Sequence, residues 1–339
     1  MAPRLPQPIP FGWFCIAFSD EIQVGDVKPL NYFDRDLVIF RNDNGEVGLL
    51  DAYCPHLGAH LGYGGKVVGA SIQCPFHAWQ FNREGFCTGI PYAKRIPPKV
   101  DGKQCIHSYP VVEKNKVIWA WYHPQNTAPF FDVMEHAEVN DPDWVDLIRF
   151  EWTFRSNPQE IAENGVDVAH FRYVHSMDSV PEGTTTYDGH IRVSIAEGHR
   201  EVPQPDGSSK RVLSKVETVQ NGAGQKYTRF TGMSETLLMT LVTPITADEV
   251  HFRFGFTHKN FPKDSLEYQV AQASIDMTAK GQTGVEGDIP IWAHKKHHHE
   301  PILCDGDGPI MRFRKYFNQF YAEASAVADS EMTMRTIQK

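Results

Sequence analysis

The stretch CPHLGAHLGYGGKVVGASIQCPFH, residues 54–77, begins with a Cys-x-His pair and ends with a Cys-x-x-His pair. The chain holds only six cysteines, and two of them stand here beside histidines. Thiolates and imidazoles are common protein ligands of zinc, copper and iron–sulfur clusters. The stretch therefore predicts a metal site built from two loops, with Cys54, His56, Cys74 and His77 as its ligands.

Two kinds of metal site compete for this pattern. Structural zinc sites usually place two cysteines together and two histidines together. Here each loop offers one thiolate and one imidazole, which is typical of a Rieske [2Fe–2S] cluster, where two thiolates hold one iron and two histidines hold the other. The spacing favours the [2Fe–2S] cluster over zinc, and it leaves His60, in the first loop, outside the ligand set.

Composition limits the remaining function classes. The 339 residues predict about two domains, the hydrophobic content of 41% is enough for packed cores, and the net charge of -9 argues against a nucleic-acid partner. The apolar run at residues 8–18 is too short to span a bilayer and lacks the flanks of a secretory signal. We therefore expect a cytoplasmic protein without a membrane partner, in which Cys15, Cys87, Cys105 and Cys304 are buried as small hydrophobic residues.

Short β-strands are expected around the cluster motif. DLVIFRNDNGEVGLLDAY, residues 36–53, contains two apolar runs joined by a strong hairpin signal at 42–45. YPVVEKNKVIWAWYHP, residues 109–124, repeats the arrangement with a turn near 113–116. We expect a small all-β domain over residues 10–124, a linker within 123–133, and a second domain over residues 125–339.

A second group of candidate ligands lies in NPQEIAENGVDVAHFRYVH, residues 157–175, which has few helix breakers and is expected to be helical. Two histidines and a carboxylate form the facial triad of non-haem Fe(II) oxygenases. On an ideal helix His170 and His175 point about 140° apart, so a helix end or a π-type bulge must lie between them. Core histidines are the alternative, but a one-electron donor in the same chain implies an acceptor and favours iron.

Together the two motifs resemble the oxygenase component of Rieske non-haem iron oxygenases. The matching residues are Cys54-x-His56, Cys74-x-x-His77 and Asn164-x-x-Asp167-x-x-His170-x-x-x-x-His175. The segments LDAYCPHLGAHL, CPFHAWQF, GIPYAKRIPP and VDVAHFRYVH are similar to 3-ketosteroid 9-hydroxylase oxygenase subunits and to sterol desaturases. The sequence differs from that branch at Ala78 and Gln80, where the branch more often has Asp and Arg. Over residues 176–262 the similarity to the branch is weak.

The resemblance implies an α+β protein, with an N-terminal all-β Rieske domain followed by a catalytic domain whose curved antiparallel sheet is packed by helices. It implies that His170 and His175 bind mononuclear iron. Asp167 matches a carboxylate that links a cluster histidine of one subunit to an iron histidine of its neighbour, which implies a ring-shaped homotrimer. Asn164 is expected beside the iron, with simple helix packing as the alternative.

The candidates for the third iron ligand are Glu286, Asp288, Asp305 and Asp307. The family's ligand is an Asp at the start of a late helix, which EGDIPIWAHKK, residues 286–296, matches through Asp288. The alternative for Asp288 is a helix N-cap with Pro290 in the first turn, and both roles can hold at once. Four histidines that follow are expected to form a solvated surface rather than a metal site: His294, His297, His298 and His299.

Alternating apolar residues in VHFRFGF, residues 250–256, predict a half-buried strand. The preceding ETLLMTLVTPI, residues 235–245, predicts its hairpin partner across a turn at 246–249. The sequence leaves open whether these aromatic residues line an apolar pocket over the iron or belong to the core.

The resemblance implies a terminal monooxygenase that inserts oxygen from O2 into a C–H bond of an apolar, steroid-like or polycyclic substrate. Electrons are expected from a separate NAD(P)H-dependent flavin reductase, with or without a ferredoxin, because GYGGKVVG lies inside the cluster loop and is no dinucleotide site. The alternatives are a Rieske demethylase, a desaturase, an aromatic-ring dioxygenase, or a Rieske protein that only transfers electrons.

Overall fold

The computed structural model describes residues 3–176, 183–203, 208–232 and 235–322. The chain forms two compact units, and the first is built from short strands and tight turns. This unit spans Trp13–Val133, and the second unit contains the residues on both sides of it. The strands of the first unit pair in the orders β1-β10-β9, β2-β3-β4 and β5-β6-β7-β8. They are β1 Gly12–Phe18, β2 Val27–Tyr32, β3 Arg35–Arg41, β4 Val47–Asp51, β5 Lys66–Val68, β6 Ser71–Gln73, β7 Gln80–Asn82, β8 Cys87–Gly89, β9 Val111–Lys114 and β10 Val117–Tyr122.

Both predicted hairpins of this unit are confirmed. β3 and β4 pair antiparallel, and the turn between them is held by the side chain of Asn42, whose Oδ1 accepts from the N–H groups of Asn44 and Glu46. β9 and β10 pair across Asn115 and Lys116, which both have φ of 57°. Two consecutive left-handed residues match the right-handed twist of the flanking strands, which explains the tight connection.

The cysteines divide between core and surface. Cys54 and Cys74 belong to a buried cluster with Cys87, and Cys105 is half-buried against the same cluster. Cys15 is also fully buried, so the expectation of small core residues holds there. The expectation is wrong for Cys304, which is exposed in the loop before the last helix of the second unit.

One antiparallel sheet with helices dominates the second unit, which gives the chain its α+β fold. The sheet has the order β11-β17-β16-β15-β14-β13-β12. Its strands are β11 Ile148–Phe154, β12 Gly183–Asp188, β13 Ile191–Pro203, β14 Ser209–Asn221, β15 Gln225–Thr231, β16 Thr236–Thr246 and β17 Glu249–His258. The helices are α1 Pro158–Glu163, α2 His170–Tyr173, α3 Leu266–Ala279, α4 Val285–His294 and α5 Ile310–Phe317.

The alternating aromatic residues of β17 are core. The predicted hairpin of β16 and β17 is confirmed, and every second residue from Val250 to Phe256 is buried. These side chains pack in one cluster with Trp292 of α4, which stacks on Phe154 with ring centres 5.8 Å apart. The packing fixes α4 against the sheet and so positions the residues that α4 carries.

The N-terminal segment is held to the rest of the second unit by hydrogen bonds to backbone carbonyls. Nη1 of Arg4 donates to the carbonyls of Trp292 and Lys295 at 2.9 and 2.7 Å, and the N–H of Phe11 donates to the carbonyl of Phe320. Arg4 thereby supplies hydrogen bonds to carbonyls at the end of α4 that the helix itself leaves unpaired. Within the described ranges, no helix has the length and apolar content that a membrane crossing requires.

Candidate metal centres

Two loops of the first unit present Cys54 and Cys74 from matching turns. In each loop the cysteine carbonyl accepts a hydrogen bond from the N–H group four residues later, at 2.9 Å from Gly58 and at 3.1 Å from Ala78. Both of these residues have positive φ, 76° and 56°. A left-handed residue closes a tight turn, so the loops after β4 and after β6 hold their cysteine and histidine in similar ways.

The four candidate cluster ligands separate into buried thiols and half-buried imidazoles. Cys54 and Cys74 are each 2% exposed, and the rings of His56 and His77 lie nearer the surface with centres 4.8 Å apart. Burial, with the Cys74 thiol adjacent, raises the pKa of Cys54 to about 12. A thiolate at this position therefore needs a positive charge beside it, which iron supplies. Nδ1 of His77 is buried without a hydrogen-bond partner, which fits an atom reserved for a metal.

The spread of these ligands argues against zinc. One tetrahedral ion requires its ligand atoms to converge on a single point. Over the described residues, the only set of three or more histidine, cysteine or acidic ligand atoms within 4.8 Å of one another is His170, His175 and Asp288. Because the four residues of the first unit do not form such a set, they fit a two-iron cluster, whose thiolate and imidazole ends lie apart.

The segment that carries the histidines of the second unit is a broken helix. Pro158 begins α1, and the side chain of Asn157 accepts from the N–H of Glu160 at 2.9 Å. The helix ends at Asn164, and α2 contains only His170–Tyr173. The predicted helix end between His170 and His175 is therefore confirmed. The second break, over residues 164–169, was not predicted.

That break brings the three candidate iron ligands together. Ligand atoms of His170, His175 and Asp288 all lie within 4.8 Å of one another. The two imidazole rings have centres 5.0 Å apart, and Nε2 of His175 lies 3.3 Å from Oδ2 of Asp288. Asp288 is only 5% exposed. Two imidazoles and one carboxylate at these distances form the donor set of a facial triad.

Backbone carbonyls orient both imidazoles. Nδ1 of His170 contacts the carbonyl oxygen of Asp167, and Nδ1 of His175 donates to the carbonyl of Thr283 at 2.9 Å. A proton held on Nδ1 leaves the Nε2 lone pair for a metal. Burial lowers the pKa of His170, and the hydrogen bond with Asp288 raises the pKa of His175. Protons therefore compete with a metal mainly at His175.

Asn164 braces the carboxylate of Asp288. Its Nδ2 donates to Oδ1 of Asp288 at 3.1 Å, and its Oδ1 accepts from Nε1 of Trp292 at 3.3 Å. Asp288 and Trp292 are four residues apart on α4, so one side chain contacts two adjacent turns of the helix. Asn164 lies beside the candidate ligands as expected. The sequence interpretation missed Trp292 and Thr283; the spacing of Trp292 from Asp288 is the only available signal for either.

The brace predicts a measurable loss of metal affinity in Asn164→Ala. The variant leaves Asp288 free to rotate and removes the acceptor of the Trp292 indole, so we expect Fe(II) affinity to fall about 10- to 100-fold. Competition with a chromogenic chelator measures this. Asn260→Ala, on an exposed residue of the same unit, is the matched control and should keep the parent affinity; equal loss in both variants contradicts the assigned brace.

The other acidic candidates have contacts elsewhere. Oε2 of Glu286 accepts from the N–H of Gly281 at 2.7 Å, Oδ2 of Asp307 accepts from the N–H of Cys304, and Asp305 is exposed. The alternative for Asp288 is wrong: Gly284 is the N-cap of α4, and Pro290 lies inside the helix rather than in its first turn. Asp288 thus serves no capping function.

The histidine-rich segment after α4 is not uniformly a surface. His294, His298 and His299 are exposed, but the His297 side chain is only 7% exposed and its Nδ1 lies 2.7 Å from Oε1 of the buried Glu160. The prediction of a solvated surface is therefore wrong for His297. Although burial acts to raise the pKa of Glu160, its contacts with His297 and Lys295 outweigh that effect and lower the pKa to about 2. The resulting network ties α1 to the end of α4.

Asp167 lies half-buried just before α2. Its backbone carbonyl, not its carboxylate, contacts the ring of His170. Within the described part of the chain its carboxylate makes no hydrogen bond or ion pair of its own. Replacing this side chain therefore leaves the carbonyl that orients His170 in place.

Comparison with known proteins gives a family match for each unit. The family model described as the Rieske [2Fe-2S] domain matches residues 12–110, and the model described as the 3-Ketosteroid 9alpha-hydroxylase C-terminal domain matches residues 120–321. An oxygenase component of 3-ketosteroid-9-alpha-monooxygenase from Rhodococcus rhodochrous is 31% identical over 96% of this chain and 83% of its own length. Cholesterol 7-desaturase from Caenorhabditis elegans is 30% identical over 95% of this chain and 79% of its own length.

Solved structures share the fold at lower identity. Dicamba monooxygenase bound to dicamba superposes with a TM-score of 0.71 at 19% identity, covering 93% of this chain and 98% of that one. The caffeine complex of NdmA from Pseudomonas putida CBB5 gives 0.70 at 16% identity over 91% of this chain and 89% of that one.

These likenesses extend through both units, so the chain is a Rieske oxygenase. It belongs to the family of 3-ketosteroid 9alpha-hydroxylase oxygenase components. As an oxygenase component it is an oxidoreductase that carries a Rieske cluster, and it works with a separate reductase.

Proposed function

We propose that this protein is the terminal oxygenase that oxidises an unactivated C–H bond of a fused-ring, steroid-like substrate. The convergence of His170, His175 and Asp288 supports the proposal most directly, because two imidazoles and one carboxylate leave coordination positions for dioxygen beside a substrate. When bound, the cluster supplies single electrons and the iron activates dioxygen. The similarity to 3-ketosteroid-9-alpha-monooxygenase components supports the substrate class.

The chain's own residues prepare the site for that chemistry. The carbonyls of Asp167 and Thr283 hold protons on Nδ1 of the two histidines, so that both Nε2 atoms stay available. Asn164 fixes one oxygen of Asp288 and leaves the other facing His175. In the first unit, Cys54, His56, Cys74 and His77 hold the cluster.

We place the protein in the cytoplasm as a homotrimer in which Asp167 joins the iron site of one subunit to a cluster histidine of the next. Its free carboxylate supports this arrangement, since a partner imidazole can donate to it. The separate reductase is of the NAD(P)H-dependent flavin class, acting directly or through a ferredoxin. The second candidate reaction is sterol desaturation, which the similarity to cholesterol 7-desaturase favours.

Product analysis tests the substrate class. The reconstituted enzyme, supplied with a flavin reductase and NADH, is incubated with 3-ketosteroids, with 3-hydroxysterols and with planar aromatic compounds. Hydroxylated ketosteroid is the expected product. A sterol with a new double bond supports the second candidate instead. Turnover of the aromatic compounds alone contradicts both.

A further inference from the structure

A row of polar side chains crosses the sheet of the second unit. Arg192 of β13 lies opposite Gln220 of β14, Gln220 lies opposite Lys226 of β15, and Lys226 lies opposite Thr240 of β16. Side chains directly opposite each other on antiparallel strands point to the same face. These four residues, the polar row, therefore share one face of the sheet.

The polar row faces the helices that hold the candidate iron ligands. Leu238 and Val242, two residues before and after Thr240, pack in the same cluster as Ile161 of α1 and Trp292 of α4. Between α1 and three residues of the row, Gln220, Lys226 and Thr240, lies a cavity of about 10 Å³, which Arg192 does not line. Its lining includes Ile161, Ala162, Gln220, Gln225, Lys226 and Thr240.

Arg192 is buried without a counter-charge. It is 0% exposed, and its Nε, Nη1 and Nη2 atoms all lack a hydrogen-bond partner. The structure, over the residues it describes, gives this guanidinium no carboxylate; its contact is the ring of Phe313, 5.4 Å from the ring centre. A buried charge is strongly destabilising unless something pairs with it.

Other atoms of the row are also unsatisfied. Gln220 Oε1 and Thr240 Oγ1 are buried without partners, as is Nε2 of Gln225, a cavity-lining residue outside the row. Lys226 forms no ion pair with any described residue. One such atom in a native protein needs only a local explanation. The donors among these atoms, beside two cations that form no ion pair with any described residue, indicate a ligand that carries negative charge.

The row adjoins the candidate iron site. A Cβ atom added to Gly165 would lie 2.9 Å from Nη2 of Arg192, so the guanidinium packs against the peptide that directly follows Asn164. At the other cationic position, burial and the nearby Arg192 lower the pKa of Lys226 to about 8, and the carboxylate of Asp288 acts against that effect. The row therefore lies beside the segments that carry Asn164 and Asp288.

We propose that Arg192 and Lys226 bind a carboxylate of the substrate, so that the enzyme acts on a fused-ring acid. The fused-ring part rests on the proposed function; the carboxylate part does not. Arg192 and Lys226 are two strands apart, about 10 Å between backbones, which long side chains on one face can close around one small anion. A carboxylate accepts two parallel hydrogen bonds from a guanidinium, whereas a neutral ligand leaves the charge of Arg192 unpaired.

The cavity has room for only one water-sized group. Binding of a carboxylate therefore requires the side chain of Lys226 or Gln225 to move aside.

Paired ligands test the proposal. The ferrous holoenzyme is titrated anaerobically, by calorimetry, with a steroid carrying a side-chain carboxylic acid and with its methyl ester. A second pair consists of a single-ring aromatic acid and its methyl ester. We expect the parent to bind an acid about 10- to 100-fold more tightly than its ester, as a charge-assisted hydrogen bond provides. Arg192→Met should reduce that preference to about threefold or less, and Arg192→Lys should retain part of it.

Arg312→Met is the matched control, because Arg312 is an exposed arginine beside the neighbouring Tyr187 ring; it should keep the parent's preference. If Arg192→Met does not fold, Lys226→Met provides the same comparison. Equal affinity for acid and ester in the parent, a preference unchanged in Arg192→Met, or no binding of either pair overturns the proposal. Acid preference in the aromatic pair alone upholds the carboxylate site and contradicts the steroid-like substrate.

Discussion

His170→Ala is expected to lose the mononuclear iron while keeping the cluster. The parent should contain about three irons per chain, and the variant about two, because the cluster residues lie in the other unit. Without one of two imidazoles, His175 and Asp288 supply only two of the three ligands, and the Asp288 hydrogen bond that raises the pKa of His175 makes a proton compete with the metal there. Product formation should disappear. Iron analysis, the visible spectrum of the cluster and product assays measure the three outcomes together.

His299→Ala is the matched control, because His299 is an exposed histidine of the same unit. It should retain the parent's iron and activity. Two irons in the unmutated protein would contradict the mononuclear site altogether and support an electron-transfer protein. Loss of the cluster spectrum in His170→Ala would show that the substitution unfolds the chain rather than removing one ligand.

Local signals account for the parts of this protein that the sequence predicts. The hairpins at 42–45 and around Asn115 depend on turn residues within a few positions of each other. The cluster motif depends on two short loops, in each of which the cysteine and the histidine are two or three positions apart in sequence. The helix end after Tyr173 follows from the geometry of two histidines five positions apart. In each case the residues that decide the structure lie next to one another in the chain.

The features that the sequence does not predict depend on distant contacts. The His297 side chain is buried because it meets Glu160, 137 positions earlier in the chain. Asn164 reaches Asp288 and Trp292 across 124 and 128 positions. Arg192 appears in the sequence as an ordinary strand residue, and only the sheet register places it beside Gln220 and the turn at Gly165. Apart from the four-residue spacing of Asp288 and Trp292, no periodicity or spacing encodes such pairings.

The carboxylate of Asp167 provides the second large effect. Asp167→Asn is expected to slow reduction of the mononuclear iron by Rieske-derived electrons about 10- to 100-fold, the size typical of a lost contact to a metal-bound imidazole. The variant should keep both metal centres, because the carbonyl of Asp167, which contacts His170, is unchanged. Asparagine has nearly the same size but no charge, so its side-chain oxygen accepts a weaker hydrogen bond from a cluster histidine than the carboxylate does.

Stopped-flow spectroscopy separates this role from a structural one. The reductase should reduce the cluster of Asp167→Asn at the parent's rate, whereas oxidation of the reduced cluster in the presence of substrate and O2 should be slow. Asp305→Asn, at an exposed position, is the matched control and should match the parent in both steps. Parent-like cluster oxidation in Asp167→Asn would remove the bridge from the proposed function and leave the two metal centres intact.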